Sequence, residues 1–164
     1  MARRVTMLKR WLWLSALVVV LDQISKLWIN DRFVYGEVLT VFNVFDLVHW
    51  HNEGAAFSFL SDFGGAQRWL FTGIALAASA WIVWLLRKHA EQKLFAFALS
   101  LILGGALGNL IDRMAYGYVI DFLLFHWNEH TFPAFNLADS AITCGAGLLI
   151  LDSFMEKKHA VVTR

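Results

Sequence analysis

The chain has 164 residues, of which 59% are hydrophobic and only 16% are charged, and it contains a single proline. A composition this apolar excludes an ordinary soluble domain and indicates a membrane protein. The formal net charge of +1 predicts no nucleic-acid partner, so the useful information is where the charges fall along the chain.

Four apolar segments approach the length of about 20 residues that crosses a bilayer. The segments are residues 11–29, 69–86, 94–111 and 135–151. Ten of the 14 lysines and arginines lie before the first segment, between the second and third, or after the fourth. Because basic residues concentrate on the cytoplasmic side, both termini are predicted to be cytoplasmic, with outer loops at residues 30–68 and 112–134. We predict an all-α membrane protein with four transmembrane helices and one domain over residues 1–164.

The first segment follows a basic stretch, as a cleavable signal peptide does. No A-x-A-like cleavage site comes after it, and Asp22 and Lys26 continue the helix, so we expect a retained anchor. Asp22 and Lys26 are four residues apart and share a helix face, which predicts an ion pair. The lysine stem is long enough to carry its ammonium toward the outer interface.

The first outer loop contains two stretches, residues 37–42 and 45–52, that are rich in Val, Phe and Trp with partial alternation. They predict two short strands on the membrane surface, and so a small extracytoplasmic β-rich subdomain. Aromatic residues of the loop, such as Phe57 and Phe59, fit an interfacial belt. The alternative is a lid or cradle that holds a molecule arriving from the bilayer.

The third segment carries a cluster of glycines, which lets another helix approach closely. The glycines are Gly104, Gly105 and Gly108. Asn109, Asp112 and Arg113 then follow at three- and four-residue spacing, on one side of the outer end of the helix. Packing does not explain an amide, a carboxylate and a guanidinium together, so this end is predicted to be a polar site.

The fourth segment begins with Asn136 and Asp139, three residues apart and therefore on one face, with Thr143 one turn deeper. This face is predicted to point into the helix bundle. Asp139 is also placed where it could cap the helix. The only cysteine, Cys144, excludes an internal disulfide, and its small neighbours predict a buried thiol.

Asp121, inside the apolar run of residues 119–125, is a second costly carboxylate beside Asp139. Ionisable residues at membrane depth are functional candidates by default, and the polar residues of separate helices all map to the outer third of the membrane. Two neighbouring carboxyls can share one proton, so that the ionised member activates water and the neutral member polarises a carbonyl. The pair therefore suits metal-free aspartic hydrolysis.

A zinc enzyme is one alternative, because residues 126–130 spell H-x-x-E-H and His49 with His51 would add imidazoles on one strand face. The five residues lie in a short loop that ends at Pro133, and no third carboxylate ligand is evident downstream. We therefore interpret the match as accidental.

A small transporter or lipid-binding scaffold is the other alternative, since both can place paired aspartates and an arginine inside a bundle. The aspartates cluster near one interface instead of the midplane, and four spans offer little room for alternating access. An enzyme is the favoured interpretation.

Five ordered motifs resemble those of bacterial lipoprotein signal peptidase, also called signal peptidase II. They lie at residues 22–26, 52–57, 104–113, 119–122 and 135–139. The resemblance covers essentially the whole chain, and no motif position departs from the family pattern. It implies an inner-membrane aspartic endopeptidase, without a cofactor or a metal, that removes the signal peptide of diacylglyceryl-modified prolipoproteins just before the lipidated cysteine.

The resemblance also implies roles for individual residues. It makes Asp121 and Asp139 the catalytic pair. The residues that position the substrate and support the aspartates would be Asn52, Asn109, Arg113 and Asn136. The residues that hold the architecture of the site would be Asp22, Lys26, Gly54, Gly104, Gly105, Gly108 and Asp112. The expected partners are the prolipoprotein substrates, the lipid bilayer and inhibitory cyclic peptides of the globomycin type.

Overall fold

Four long helices and a small antiparallel sheet make up the part of the chain that the computed structural model describes, residues 2–54 and 66–162. The elements are α1 (Ala2–Arg32), β1 (Val38–Phe42), β2 (Phe45–Asn52), α2 (Ala66–His89), α3 (Lys93–Ala115), β3 (Val119–Trp127), β4 (His130–Thr131) and α4 (Leu137–Val162). All four helices are long and apolar enough to cross a membrane, which confirms the number predicted from the sequence. Helices α1, α2 and α3 extend beyond their predicted apolar segments at both ends, whereas α4 begins two residues inside its segment, at Leu137, and extends only beyond the other end.

Helix α3 is the centre of the bundle and packs against each of the other three helices. The most apolar stretch of α3 is 56% buried, whereas the corresponding stretches of α1, α2 and α4 are 28%, 22% and 11% buried. The glycines of α3 explain this position. A methyl group at Gly104 would lie 2.6 Å from the Cβ of Val18 on α1, and one at Gly105 would meet the backbone oxygen of Ala138 on α4.

The strands form one sheet in the order β1-β2-β3-β4, with all neighbours antiparallel. Strands β1 and β2 confirm the two strands predicted in the first outer loop. Strand β3 was not predicted, because it is buried over its first four residues and so lacks the alternation that identifies a half-exposed strand. In the register of β2 and β3, Trp50 pairs with Asp121 and Asn52 pairs with Val119. Phe57 and Phe59 lie outside the described residues.

A small apolar cluster fixes the sheet to the helices. Ile29 and Phe33, at the end of α1, pack against Ile120 and Phe122 of β3. Since Ile120 and Phe122 flank Asp121, this cluster sets the height of Asp121 relative to the bundle.

The thiol of Cys144 is exposed, so the prediction of a buried thiol is wrong. Thr143 is exposed as well and does not share the inner face of Asn136. Helix α4 turns a narrow stripe to the bundle, through Ala138 and, seven residues later, Gly145, which packs against Ala98. Residues 143 and 144 lie about 140° and 120° around the helix from Ala138, at about 100° per residue, and so face away from that stripe.

Candidate active site

Asp121 is the most enclosed carboxylate of the sheet, with 3% of its surface exposed. Each of its oxygens accepts one amide hydrogen bond. The Nδ2 of Asn52 donates to Oδ2 at 2.9 Å, and the Nδ2 of Asn136 donates to Oδ1 at 2.8 Å. Burial raises the pKa of Asp121 to about 7, because the charged form loses hydration that these two hydrogen bonds only partly replace.

Asp139 lies in the first turn of α4 and forms a reciprocal cap with Asn136. The backbone N–H of Asp139 donates to Oδ1 of Asn136 at 2.9 Å, and the backbone N–H of Asn136 donates to Oδ2 of Asp139 at 3.3 Å. This is the capping-box arrangement, with Asn and Asp in place of the usual residues. The cap that the sequence suggested for Asp139 is therefore present. It also ties Asp139 to Asn136, the residue that contacts Asp121.

Asn109 of α3 supplies the remaining side-chain contact of Asp139, since its Nδ2 donates to Oδ1 at 2.7 Å. The other end of the Asn109 amide, Oδ1, accepts from the ammonium of Lys26 at 2.9 Å. Lys26 also pairs with Asp22 at 2.8 Å, which confirms the predicted ion pair, and with Asp112 at 2.9 Å. The ammonium does not reach toward the interface as expected: Lys26 is 1% exposed, because its acceptors lie inside the bundle.

Asp22 and Asp112 extend this network to the backbone beside each aspartate of the pair. Asp22 accepts the N–H of Ala138 at 2.9 Å, and Asp112 accepts the N–H of Ile120 at 3.2 Å. Sequence reasoning gave no role to Gln23, whose Nε2 donates to Asp112 at 2.8 Å and to the carbonyl of Gly108 at 3.2 Å. The position of Gln23 between Asp22 and Lys26, in a polar stretch of an apolar helix, was the sequence feature that could have indicated a role in the site.

The orientations of three side-chain amides follow from groups that can only donate. The backbone N–H of Gly54 donates to Oδ1 of Asn52 at 2.8 Å. The backbone N–H of Asp139 donates to Oδ1 of Asn136, and the ammonium of Lys26 donates to Oδ1 of Asn109. Each NH₂ group therefore points at an aspartate. Asn52 and Asn136 donate to Asp121, and Asn109 donates to Asp139.

Gly54 and Arg113 meet on the ring of Phe71. A methyl group at Gly54 would lie 2.5 Å from this ring, and Gly54 has a φ of +90°. The guanidinium of Arg113 lies 5.3 Å from the centre of the same ring, and its nearest polar contact is the carbonyl of Asn109 at 3.5 Å. Among the ion pairs of the described residues, none joins Arg113 to either aspartate. Within residues 2–54 and 66–162, the guanidinium thus has one weak hydrogen bond, to the carbonyl of Asn109.

A cleft of about 410 Å³ opens beside Asp121. Its lining residues are Trp50, His51, Asn52, Glu53, Asp121, Pro133 and Ala134. Most of the lining is apolar or aromatic, with one buried carboxylate, which suits an extended peptide next to a hydrolytic group.

The H-x-x-E-H stretch lies on the hairpin of β3 and β4. In this register His126 pairs with Thr131, and His130 pairs with Trp127, so the two histidines do not share a helix face. His126 instead contacts Asp46, with 3.3 Å between Nε2 and Oδ2. Within residues 2–54 and 66–162, no group of three or more His, Cys, Asp or Glu side chains is placed to hold a metal ion.

The chain is similar to known proteins over most of its length. The family model described as signal peptidase (SPase) II matches residues 14–155. The lipoprotein signal peptidase of Cupriavidus pinatubonensis is 57% identical over 150 residues, which cover 91% of this chain and 85% of that protein. The lipoprotein signal peptidase of Shewanella pealeana is 52% identical over 150 residues, which cover 91% of this chain and 88% of that protein.

The fold is similar to that of a solved bacterial membrane enzyme. The structure of that enzyme, obtained by the in meso method at 2.3 Å, superposes with a TM-score of 0.81 and 29% identity. The superposition covers 92% of this chain and 91% of the other. A second such structure, at 1.9 Å, gives a TM-score of 0.79 and 31% identity over 88% of this chain and 92% of the other.

Proposed function

This chain belongs to the signal peptidase II family of lipoprotein signal peptidases, and we propose that it is an aspartic endopeptidase that cleaves diacylglyceryl-modified prolipoproteins just before the lipidated cysteine. The observation that carries the aspartic mechanism is the sharing of Asn136 by Asp121 and Asp139. One residue contacts both carboxylates, since the side-chain amide of Asn136 donates to Asp121 and its backbone N–H donates to Asp139, as a pair that acts on one substrate bond requires. Membership of a peptidase family also replaces the transport and scaffold interpretations.

The proposed reaction uses one proton on the two carboxyls. The ionised carboxylate takes a proton from water as the water oxygen attacks the scissile carbonyl carbon. The neutral carboxyl donates its proton to the carbonyl oxygen, which would otherwise become an oxyanion. As the tetrahedral intermediate collapses, the C–N bond breaks and the proton taken from water passes to the departing amine. The hydroxyl formed from the scissile carbonyl returns its proton to the carboxylate that donated it, and the carbonyl reforms. The arrangement regenerates a pair that holds one proton.

The raised pKa of Asp121 supports the proposal that the two carboxyls hold one proton. With a pKa of about 7, Asp121 retains a proton at neutral pH far more often than an exposed aspartate does. The low-dielectric surroundings that raise this pKa also strengthen each hydrogen bond to the developing charge. The guanidinium of Arg113 and the cleft beside Asp121 are the features that would position the substrate carbonyls and side chains.

The proposed setting is the bacterial inner membrane, with both termini in the cytoplasm, the site at the outer face, and residues 1–164 acting as one domain. The concentration of basic residues at the end of the bundle opposite the site supports this orientation. A diacylated substrate stays in the bilayer, and its cleavage point lies near the outer headgroups, at the depth of the site. Cyclic peptides of the globomycin type are proposed to inhibit by occupying the cleft beside Asp121.

The substrate assignment is tested with purified enzyme and one prolipoprotein in two forms, with and without the diacylglyceryl group. The expected result is cleavage of the diacylated form, before its cysteine, at a rate that a chelator does not change. Equal cleavage of the unmodified form would contradict the lipid requirement. Loss of cleavage with the chelator, restored by zinc, would contradict the aspartic mechanism and revive the metalloenzyme interpretation.

A further inference from the structure

We infer that Lys26 is a positioning residue for the proposed reaction: its ammonium fixes the orientation of the Asn109 amide and so aims the Asn109 NH₂ group at Asp139. The inference rests on the proposed function, because it assigns Asp139 a part in the reaction. It goes beyond the ion pair with Asp22, which by itself would only join α1 to the bundle.

The orientation of the Asn109 amide is decided by its two neighbours, because Lys26 can only donate a hydrogen bond and the Asp139 carboxylate accepts one. An asparagine amide has one end that accepts and one that donates, and the two ends have nearly the same shape. An ammonium only donates, so the Oδ1 of Asn109 must face Lys26, at 2.9 Å. The NH₂ end then faces Asp139, at 2.7 Å. A flipped amide would place NH₂ against the ammonium and a carbonyl oxygen against the carboxylate, so both contacts would become repulsive.

The position of Asn109 explains why its amide is oriented by a side chain and not by a backbone N–H group. Asn52 and Asn136 are held by the backbone N–H groups of Gly54 and Asp139, which are available at a turn and at a helix start. Asn109 lies in the interior of α3, where backbone N–H groups bond within the helix. Another donor must therefore come from a neighbouring element, and Lys26 of α1 supplies it.

A competing donor contributes less to this orientation. The Nδ2 of Asn136 lies 3.2 Å from the Oδ1 of Asn109, but it also lies 2.8 Å from Asp121 and 3.3 Å from the carbonyl of Ile120. Its two hydrogens are thus divided among three acceptors. Lys26 has three hydrogens for three acceptors, namely Asn109, Asp22 and Asp112, all within 2.9 Å.

The test is a double-mutant cycle on Lys26→Met and Asn109→Leu, with kcat and KM measured on the diacylated prolipoprotein. Lys26→Met should lower kcat by on the order of 10- to 100-fold with little change in KM, because the carboxylate loses its aligned donor. In the Asn109→Leu background the same change should lower kcat by less than about threefold, since no amide remains to be oriented. Lys9→Met, the same change at an exposed position of α1, is the matched control and should leave kcat unchanged.

A charge-balanced variant covers the case in which Lys26→Met does not fold. The double substitution Lys26→Met with Asp112→Asn keeps the net charge of the buried cluster at −1, so the number of uncompensated negative charges stays at one, as in the wild type. It should fold and have a lower kcat than the single substitution Asp112→Asn, which keeps Lys26. The inference would be overturned if Lys26→Met lowers kcat in the Asn109→Leu background as much as in the wild type, or if the folded charge-balanced variant has the same kcat as Asp112→Asn. Either result would leave the proposed function intact.

A readout without catalysis separates this inference from the proposed function. After selective ¹⁵N labelling of asparagine, the side-chain NH₂ signals of Asn109 report its partner. The substitution Asp139→Asn should shift these signals in the otherwise wild-type protein and leave them nearly unmoved in the charge-balanced variant. A shift of equal size in both proteins would overturn the inference, whether or not the wild type cleaves lipoproteins.

Discussion

The Oδ1 atom of Asp22 accepts a hydrogen bond of 2.9 Å from the backbone N–H of Ala138, 116 residues further along the chain and directly before Asp139. The other oxygen of Asp22 pairs with Lys26. A carboxylate in the first helix therefore holds the start of the last helix and balances a buried ammonium at the same time. Asp112 does the same for the residue before Asp121.

The substitution Asp22→Ala should destabilise the protein strongly. The change removes one of the two carboxylates paired with Lys26 and leaves the buried N–H of Ala138 without its acceptor, and the loss of such a buried ion-pair partner costs up to about 3–5 kcal/mol. Thermal unfolding in detergent should show a large decrease in Tm, accompanied by loss of cleavage. The matched control is Asp31→Ala, which removes the exposed ion pair with Arg32 on the same helix and should leave Tm nearly unchanged. Equal effects of the two substitutions would contradict the structural role of Asp22.

The pH dependence of cleavage should follow the raised pKa of Asp121. Because the reaction needs one proton on the pair, kcat/KM should fall as the pH rises through about 7. A profile of kcat/KM against pH between 5 and 9 would test this. A rate that keeps rising to pH 9 would contradict it, since that result would require a fully ionised pair.

The stability of the folded protein should also decrease as the pH rises through about 7. The pKa of Asp121 is raised on folding from 3.8 to about 7, so the folded state favours the protonated carboxyl. Its contribution is fully present below about pH 4 and is lost progressively as the pH rises through about 7. The Tm of the wild type should therefore decrease from pH 5 to pH 8 more than the Tm of Asp121→Asn. Parallel curves for the two proteins would contradict the raised pKa.

The substitution Gly54→Ala should damage the site through the contact with Phe71. Gly36 has a similar positive φ, +84°, but a methyl group there would meet nothing within 4 Å. Gly36→Ala therefore shares the backbone strain, about 1 kcal/mol, without the collision. We expect Gly54→Ala to lower kcat/KM by on the order of tenfold or more, because Asn52 must shift with Gly54. Equal activity of the two variants would show that the Phe71 contact does not matter.

The substitution Gly105→Ala should separate α3 from α4. A methyl group at Gly105 would meet the backbone oxygen of Ala138 and the side chain of Ile142, in the turn that carries Asp139. Gly147 of α4 has open space and a helical setting, so Gly147→Ala should be neutral or slightly stabilising. Tm and kcat/KM should both fall in the first variant only. Retention of both in Gly105→Ala would contradict the close packing.

The sequence was most informative about the helices and the residue types of the site. Length and hydropathy predicted four spans, and the spacing of Asn109, Asp112 and Arg113 predicted a polar helix end. Strand β3 was not predictable from alternation, because its first four residues are buried on both faces of the sheet. Its aspartate, Asp121, was nevertheless a candidate from the sequence, because it lies inside the apolar run of residues 119–125.

Contacts between elements were beyond the reach of sequence patterns. The spacing of Asp22 and Lys26 predicted their pairing, but a helix pattern contains no information about the Asp112 and Asn109 acceptors on another helix. The burial of Lys26 and the orientations of the asparagine amides depend on these long-range partners. The exposed Cys144 is a related case, because small neighbours do not determine which face of α4 meets the bundle.

The most direct test of the aspartic mechanism is the cleavage of a diacylated prolipoprotein by Asp121→Asn and Asp139→Asn. Asparagine keeps the size of each side chain but cannot take or share the catalytic proton. Each variant should keep a Tm close to that of the wild type and lose cleavage by on the order of 10⁴-fold or more. Cleavage retained by either folded variant would contradict the proposal that the two aspartates form the catalytic pair.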